Sequence, residues 1–431
     1  MKQRIAIIAG ARTPMGKAGS TLKNLSAADL GSLAVREAIE RSGLKDDEID
    51  EVIMGNVSQP YDCANIARVI ALNAGLPINI PAYTVHRNCA SGMESITSGA
   101  EKILQGVTNI VVAGGAESMS NTPLVYNQDM VNFFLRISDR RASLFGKIKS
   151  FLSFRLHFLK PVIAVQKALT DPVCGLNMGQ TAEVLAREFK ISRKRQDQYA
   201  VDSHKKAVEA IKNDIFKEEI FPITTDKKRG IWFDKDEGPR PDQSLEKLGK
   251  LKPFFDKKNG TVTVGNACPI NDGGAALILM SEKEAKKRKL KPLGYLKDYA
   301  YASLEPQRMG LGPIYATAKL FKQNPSLKMT TFDLIELNEA FAAQVVANIE
   351  AFSSDQFAKE FLNRQKALGK LDEKILNVNG GAVALGHPVG MTGTRIVLHL
   401  LYEMKRRNKK NGLATLCIGG GQGAALHLQS Q

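Results

Sequence analysis

The sequence predicts an α/β fold built from a duplicated unit, and three observations support this. Short β-rich runs, such as EVIMGNV and NIVVAGGAE, alternate with helical patterns in the first 120 residues, and the last 150 residues repeat the alternation. IDEVIMGNV at 49–57 resembles FDLIELNEAF at 332–341. NIVVAGGAES at 109–118 likewise resembles ATLCIGGGQG at 414–423. We therefore expect two similar halves related by a pseudo-twofold axis.

The elements can be placed along the chain in order. The uninterrupted apolar run in the N-terminal MKQRIAIIAGARTP is too short for the core of a signal peptide. It predicts a first strand, and we expect a cytoplasmic product. We place the first half at 1–121 plus 261–282 and the second at 283–431. Between them, 122–260 loses the α/β rhythm and carries helices around 178–214. We interpret it as a loop domain that leaves the first half, rather than as a third core.

Charge and cysteine content limit the function classes. No segment approaches the roughly 18 consecutive apolar residues of a membrane span. The net charge of +16 favours acidic partners, but aromatic residues are only 6% and no nucleic-acid motif accompanies the basic patches at 286–291 and 405–410, so we expect no nucleic-acid partner. The five cysteines lack C-x-x-C spacing, which argues against a zinc cluster and a disulfide framework.

Four motifs follow one another: NCASG (88–92), NEAF (338–341), GHPVGMTG (386–393) and CIGGGQG (417–423). Together with GTVTVGNACPINDGGAALILMSE at 260–282, they resemble the thiolase family, which includes 3-ketoacyl-CoA thiolases and acetyl-CoA acetyltransferases. The resemblance covers essentially the whole chain. It implies the thiolase fold, in which two βαβαβαββ halves stack in five layers, α-β-α-β-α, with an inserted loop domain.

Cys89 and His387 each have a structural alternative. An isolated cysteine is more often a small buried hydrophobe, but a helix N-terminus after Cys89 would lower its thiol pKa and favour a nucleophile. The structural alternative for His387, which lies between Gly386 and Pro388, is a histidine in a turn that takes no part in catalysis. In an open, tight loop it can take the proton from Cys89 and donate Nε2–H to an enolate oxygen, and the resemblance implies these roles.

Cys417 ends an apolar strand and could be a buried structural thiol, and Asn338 could cap the following helix. The resemblance implies instead that Cys417 protonates the acetyl-CoA enolate and then deprotonates CoA. It implies one oxyanion hole from the N–H groups of Cys89 and Gly419, and another from His387 and a water held by Asn338. The implied substrate contacts are Met178, Phe255, Ala267, Cys268 and Phe341, with Glu339 also shaping the pocket.

The resemblance implies a two-step reaction on 3-ketoacyl-CoA. Cys89 attacks the keto carbon and releases acetyl-CoA, and free CoA then takes the acyl group. We predict a degradative thiolase of fatty-acid β-oxidation that needs no metal or nicotinamide. An acetoacetyl-CoA thiolase working in the condensation direction is the nearest alternative, and a non-catalytic thiolase-like lipid carrier is a distant one.

The chain departs from common thiolase patterns at several places. Cys268 replaces a frequent serine, and Asn177 replaces a histidine typical of short-chain enzymes. The segment 133–160 has seven basic residues and one acid, with Phe145, Ile148, Leu152, Leu156 and Leu159 at helical spacing. Both it and 350–374 resemble trifunctional-enzyme β subunits.

A single amphipathic helix is therefore expected at 133–160. It would either cover the active site or dock on an inner-membrane surface or on a hydratase/dehydrogenase α subunit. The family also implies a homo-oligomer, a dimer or a tetramer.

Overall fold

The computed structural model describes residues 4–226 and 230–430. The strands are β1 (Ile5–Arg12), β2 (Gly16–Lys17), β3 (Glu51–Gly55), β4 (Ala82–Val85), β5 (Ile110–Ser118), β6 (Leu124–Val125), β7 (Val162–Ile163), β8 (Ile223–Asp226), β9 (Ile231–Phe233), β10 (Asn271–Ser281), β11 (Gly294–Ser303), β12 (Leu334–Leu337), β13 (Asn411–Ile418) and β14 (Gln422–Gln429). The helices are α1 (Ala27–Ser42), α2 (Ile66–Asn73), α3 (Ser91–Leu104), α4 (Gln128–Ser138), α5 (Leu144–Leu152), α6 (Ala164–Ala168), α7 (Met178–Glu188), α8 (Arg193–Lys212), α9 (Leu245–Gly249), α10 (Glu282–Lys287), α11 (Gly312–Gln323), α12 (Ala342–Phe352), α13 (Asp355–Phe361), α14 (Ala382–Leu385) and α15 (Val389–Arg406).

The order of the strands in the main sheet confirms the duplication. The order is β12-β13-β14-β11-β1-β10-β5-β3-β4, and each half repeats the same connectivity when read from the centre outward. In the first half β3 pairs parallel with β4 and β5, and β10 pairs antiparallel with β5 and β1. In the second half β12 pairs parallel with β13 and bridges in parallel to Leu376, while β14 pairs antiparallel with β13 and β11.

Alternating side chains divide the core into five layers, as predicted. On β3, Val52 and Met54 pack outward with α1 and α2, whereas Ile53 points inward. The inward face packs against α3 and α15, which form the central helical layer, with Ile96 and Ile396 in the same cluster. Helices α11 and α12 cover the outer face of the second half.

A short seam joins the two half-sheets. Strand β1 pairs antiparallel with β11 through three residue pairs: Ile5 with Leu296, Ala6 with Tyr295 and Ile7 with Gly294. The sequence repeats did not indicate this pairing. It makes the two halves one hydrogen-bonded sheet.

The segment 133–160 is not the single helix that the sequence predicted. Helix α4 ends at Ser138, and α5 begins after Ser143, whose hydroxyl oxygen accepts a hydrogen bond from Gly146 N. Helix α5 ends at Leu152, which is followed by the C-cap Ser153, so the helical spacing that begins at Phe145 does not continue through the segment. Leu156 and Leu159 lie on a separate 3₁₀ turn. None of the helices within 4–226 and 230–430 is long and apolar enough to cross a membrane.

Candidate active site

Cys89 lies in a strained turn immediately before α3. Asn88 has a positive φ of 45°, and its Nδ2 donates to the carbonyl oxygen of Gly419 at 2.7 Å. Ser91 N donates to Asn88 O and begins the helix. The turn therefore ties the N-terminus of α3 to the β13–β14 hairpin, which belongs to the other half.

The surroundings of Cys89 correct the predicted direction of its pKa. Burial raises the pKa of the Cys89 thiol, and hydrogen bonds from the backbone of Gly419 and of Cys89 itself offset only part of that effect. Desolvation therefore outweighs the helix N-terminus, so Cys89 is a neutral thiol at pH 7 and needs a base. The same two backbone groups reach the sulfur, which places both near the reacting atom.

His387 lies in the short loop between α14 and α15. Its backbone N–H donates to Asn271 Oδ1 at 3.3 Å, and its Nδ1 lies 2.7 Å from Thr392 Oγ1. Its Nε2 is buried and has no hydrogen-bond partner within the described chain. Burial, with a smaller contribution from Arg395, lowers the pKa of His387 to about 4, so the imidazole is neutral at pH 7.

The loops that carry Cys89 and His387 meet through backbone contacts. A Cβ added to Gly92 in α3 would lie 2.6 Å from Thr394 Oγ1 and 2.9 Å from Gly390 O, both in α15. Only glycine permits this approach. Each residue immediately precedes one of these two helices, so both lie at the same end of the central layer.

Asn338 follows β12 and does not cap a helix. Helix α12 begins after Phe341, and the side-chain Nδ2 and Oδ1 of Asn338 are buried without a hydrogen-bond partner in residues 4–226 and 230–430. The backbone holds the residue, since Asn338 N donates to Thr415 O at 3.0 Å. A buried, unpaired amide is costly unless a water or ligand binds it.

Cys417 and the predicted substrate residues form one cluster. Burial, together with the nearby Cys89 and Cys268, raises the pKa of Cys417 well above its usual value. Four of the predicted contacts share its apolar cluster: Met178, Phe255, Ala267 and Phe341. The rings of Phe255 and Phe341 meet edge to face at 5.9 Å.

The remaining positions have clear structural roles. Cys268 adjoins the cluster, with its backbone N–H donating to Ala340 O, and burial and Cys89 raise its thiol pKa to about 12. Asn177 caps α7 by accepting from Gln180 N. Glu339 is buried and accepts four hydrogen bonds, from Tyr199 Oη, Ser203 Oγ, Asn377 Nδ2 and Val383 N. These bonds tie it to α8 and to the segment that leads into the loop of His387.

Sequence reasoning missed several supporting residues. Glu117 accepts from Val57 N, Ser58 N and Gly390 N, as well as from Asn56 Nδ2. Through these hydrogen bonds, Glu117 holds the turn after His387 against the first half. Its signal was present in NIVVAGGAES, where a glutamate ends a fully apolar strand. No comparable pattern in the sequence indicated the supporting roles of Asn88, Asn271 and Thr392.

Comparisons with known proteins agree with this geometry. The thiolase N-terminal domain family matches residues 5–283, and the thiolase C-terminal domain family matches 290–430. A beta-ketothiolase of Cupriavidus necator is 40% identical over 428 residues, which cover 99% of this chain and 98% of the relative.

Two solved structures share the fold. The acetyl-CoA acetyltransferase of Bacillus anthracis has a TM-score of 0.86 and 39% identity, covering 100% of this chain and 99% of that protein. The human mitochondrial 3-ketoacyl-CoA thiolase in complex with CoA has a TM-score of 0.84 and 35% identity, covering 100% of this chain and 98% of that one. The chain belongs to the thiolase family.

Proposed function

We propose that this protein cleaves 3-ketoacyl-CoA with free CoA, giving acetyl-CoA and an acyl-CoA shortened by two carbons. One observation carries the proposal: among residues 4–226 and 230–430, the Asn338 amide and His387 Nε2 are buried without a hydrogen-bond partner, and we assign them to the same site as Cys89 and Cys417. The site therefore offers a nucleophile, a neutral base, an acid and free hydrogen-bonding groups. The human 3-ketoacyl-CoA thiolase and the Cupriavidus beta-ketothiolase support this assignment.

In the first step, the Cys89 thiol gives its proton to His387, and its sulfur bonds to the keto carbon. The backbone N–H groups of Cys89 and Gly419 donate to the resulting oxyanion. The C2–C3 bond then breaks, and the leaving enolate oxygen accepts hydrogen bonds from protonated His387 Nε2 and from a water on Asn338. Cys417 donates its proton to the enolate carbon, which forms acetyl-CoA.

In the second step, the Cys417 thiolate takes the proton of incoming CoA, and the CoA sulfur attacks the acyl group on Cys89. The Cys89 sulfur leaves as the acyl-CoA forms and recovers a proton from His387. The raised pKa of Cys417 suits its role, because a neutral thiol keeps the proton that the enolate needs. CoA is a substrate here, and we assign no metal or nicotinamide cofactor.

We propose that the CoA chain lies beside the apolar cluster. A cavity of about 270 Å³ shares Phe255 with that cluster and is also lined by Arg187, Lys257 and Lys258. These cations match the phosphates of CoA, while Met178, Ala267, Cys268 and Phe341 contact the thioester end. The domain boundaries at 1–121 plus 261–282, 122–260 and 283–431 belong to the same proposal, with the middle segment supplying Arg187, Lys257 and Lys258.

The first experiment is thiolysis of 3-ketoacyl-CoAs from C4 to C16 with free CoA, comparing wild type with Cys89→Ala. We expect activity on medium or long chains that the substitution abolishes. Activity confined to C4 would instead indicate an acetoacetyl-CoA thiolase. The absence of activity at every chain length would overturn the proposal and favour the carrier.

We also propose a cytoplasmic protein whose segment 133–160 makes peripheral contact with the inner membrane surface through the exposed apolar face of α5. Leu144, Phe145, Ile148, Phe151 and Leu152 share one helical face, and each is more than half exposed. Lys147 and Lys149 flank this face, as in helices that lie in a lipid interface. A hydratase/dehydrogenase α subunit is the alternative occupant.

Flotation with anionic and neutral vesicles tests the lipid contact. We expect wild type to bind anionic vesicles and the double variant Phe145→Asp, Leu152→Asp to lose binding. Tyr61→Asp, at another exposed aromatic position, is the matched control and should bind like wild type. Wild type that stays unbound to both vesicles would overturn this contact.

A homo-oligomer, a dimer or tetramer, is also proposed. Strand β4 ends the order of the main sheet, so one of its edges is free to pair with the same strand of a second copy. Light scattering at micromolar concentration tests this assembly, and a stable monomer would overturn it.

A further inference from the structure

Thr392 makes two hydrogen bonds that bear on the protonation of His387. It lies in the first turn of α15 and is fully buried. Its hydroxyl oxygen is 2.7 Å from His387 Nδ1 and 2.9 Å from the carbonyl oxygen of Pro388. Both distances are typical of well-formed hydrogen bonds.

Counting the hydrogens favours one arrangement of this chain of bonds. A hydroxyl has a single hydrogen, and Pro388 O can only accept. If the hydroxyl donates to Pro388 O, His387 Nδ1–H donates to the hydroxyl and every hydrogen has an acceptor. If the hydroxyl donates to Nδ1 instead, the hydrogen moves to Nε2, which is buried and has no acceptor among residues 4–226 and 230–430.

We propose that Thr392 is a positioning residue that holds His387 as its Nδ1–H tautomer and so leaves the Nε2 lone pair free for the Cys89 proton. The inference rests on the thiolase mechanism above. When Cys89 reacts, its proton moves to Nε2 and its sulfur bonds to the keto carbon. His387 becomes an imidazolium whose Nδ1–H remains bonded to Thr392 and whose Nε2–H faces the enolate.

The tautomer of His387 matters because Cys89 and His387 form an uncharged pair before the reaction begins. Since burial leaves both Cys89 and His387 uncharged at pH 7, the sulfur becomes nucleophilic only when Nε2 can accept its proton. An Nε2–H tautomer would present a hydrogen to the thiol and leave it without a base.

The chain contains a matched control for the purely structural role of this threonine. Thr317 in α11 is also fully buried and donates to the carbonyl oxygen four residues earlier, at Pro313, over 2.8 Å. Within residues 4–226 and 230–430, its hydroxyl makes no hydrogen bond to a histidine ring. A threonine that merely bonds back to its own helix should therefore behave alike at 317 and at 392.

The test uses the full-length enzyme and the variants Thr392→Val, Thr392→Ser and Thr317→Val. Two properties are measured: kcat/KM for thiolysis, and the rate at which iodoacetamide alkylates Cys89 from pH 5.5 to 9. We expect Thr392→Val to lose about 100-fold in kcat/KM, whereas Thr392→Ser stays within about threefold of wild type because it keeps the hydroxyl. Thr317→Val should keep wild-type kinetics.

The alkylation profile distinguishes this role from a structural one. Wild type should react at a steady rate from pH 6 to 8, because neutral His387 assists throughout that range. Thr392→Val should lose this plateau and rise about tenfold per pH unit, as an unassisted thiol does. If Thr392→Val does not fold, Thr392→Ala provides the same comparison.

Two results would overturn the inference: Thr392→Val with the kinetics and the alkylation plateau of Thr317→Val, or Thr392→Ser with a loss as large as that of valine. The alkylation assay needs no CoA substrate. A wild type without thiolase activity would therefore refute the proposed function, while the pH profile of Cys89 alkylation would still test the role of Thr392.

Discussion

At the scale of single residues, the site holds polar atoms that the fold does not use. Asn338 is 1% exposed, yet neither polar atom of its amide has a hydrogen-bond partner in the part of the chain described. His387 Nε2 is also buried there without a hydrogen-bond partner. A buried amide that bonds to nothing reduces stability, because it has given up water without compensation. A residue of this kind is therefore a candidate for binding or catalysis.

We predict that Asn338→Ala separates activity from stability. The thiolysis kcat should fall about 10²–10³-fold, as for loss of one oxyanion donor, because the enolate loses its bound water. The free energy of unfolding should stay constant or rise by up to ~1 kcal/mol, since no protein hydrogen bond is removed. Kinetics and thermal unfolding of the same preparations measure both effects.

Asn348→Ala is the matched control, at another buried asparagine. Its Nδ2 donates to Gly310 O and to Gln344 O, each at 2.8 Å. Here the free energy of unfolding should fall by about 1–3 kcal/mol while kcat stays near wild type. Equal destabilisation in the two variants, or an unchanged kcat in Asn338→Ala, would contradict the prediction.

The sequence named the chemical groups of the site but not their electrostatics. Cys89, His387, Cys417 and Asn338 each stand in a short motif, so they could be picked out by spacing and by resemblance. The direction of the Cys89 pKa shift was wrong, because desolvation depends on segments that fold over the residue from elsewhere in the chain. The Thr392 contact was missed for a similar reason, since the turn that brings it to His387 is set by tertiary packing.

At the scale of elements, the loop between α14 and α15 depends on backbone geometry. Gly386 has a φ of +114°, in the region that favours glycine. A Cβ at this position would overlap the side-chain amide of Asn271. That amide accepts from His387 N and donates to Gly16 O, so it links the catalytic loop to the first half.

We predict that Gly386→Ala costs ~2 kcal/mol or more in stability and most of the thiolase activity. The substitution strains the backbone and displaces Asn271, so His387 loses its fixed position. Thermal unfolding and kcat/KM measure the two effects. Gly249→Ala is the control, because a Cβ there has open space and an ordinary φ, and it should be neutral or slightly stabilising. A fully active, stable Gly386→Ala enzyme would contradict the role of this turn.

The segment 133–160 shows the limit of periodicity for elements. The apolar spacing was real, and within α5 it describes one face of a helix. The continuous helix was wrong, because α5 begins only after the N-cap Ser143 and ends at Leu152. Periodicity therefore predicted that Phe145, Ile148 and Leu152 share a helical face, but not that Leu156 and Leu159 lie on a separate 3₁₀ turn.

At the scale of the whole molecule, the resemblance to the thiolase family implied five layers, and the repeats predicted the duplicated fold. They did not predict the β1–β11 seam, because that pairing joins residues almost 300 positions apart and has no local signal. Nor did they show how closely the halves approach in the central layer, where Gly92 of α3 touches the backbone of α15. Both features are contacts between halves rather than properties of either one.

Each half is therefore expected to depend on the other for folding. The central cluster draws Met93 and Ile96 from α3, and Ile396 and Leu400 from α15. Separation of the halves would expose both sets of side chains to water, which costs ~25 cal/mol of stability for each Å² of apolar surface. It would also leave the edges of β1 and β11 unpaired. The proposed catalytic residues are divided in the same way, with Cys89 in the first half and His387 and Cys417 in the second.

We predict that fragments 1–289 and 290–431 do not fold alone but reconstitute the enzyme when coexpressed. Each fragment by itself should bind a hydrophobic dye and lack a cooperative thermal transition, because its inner face has no cover. The coexpressed pair should form a stoichiometric complex, exclude the dye and recover thiolysis, since the cut lies between α10 and β11 and breaks no strand. Either fragment unfolding cooperatively without binding dye would show that a half is an independent domain, and the central layer would then be a docking surface rather than a shared core.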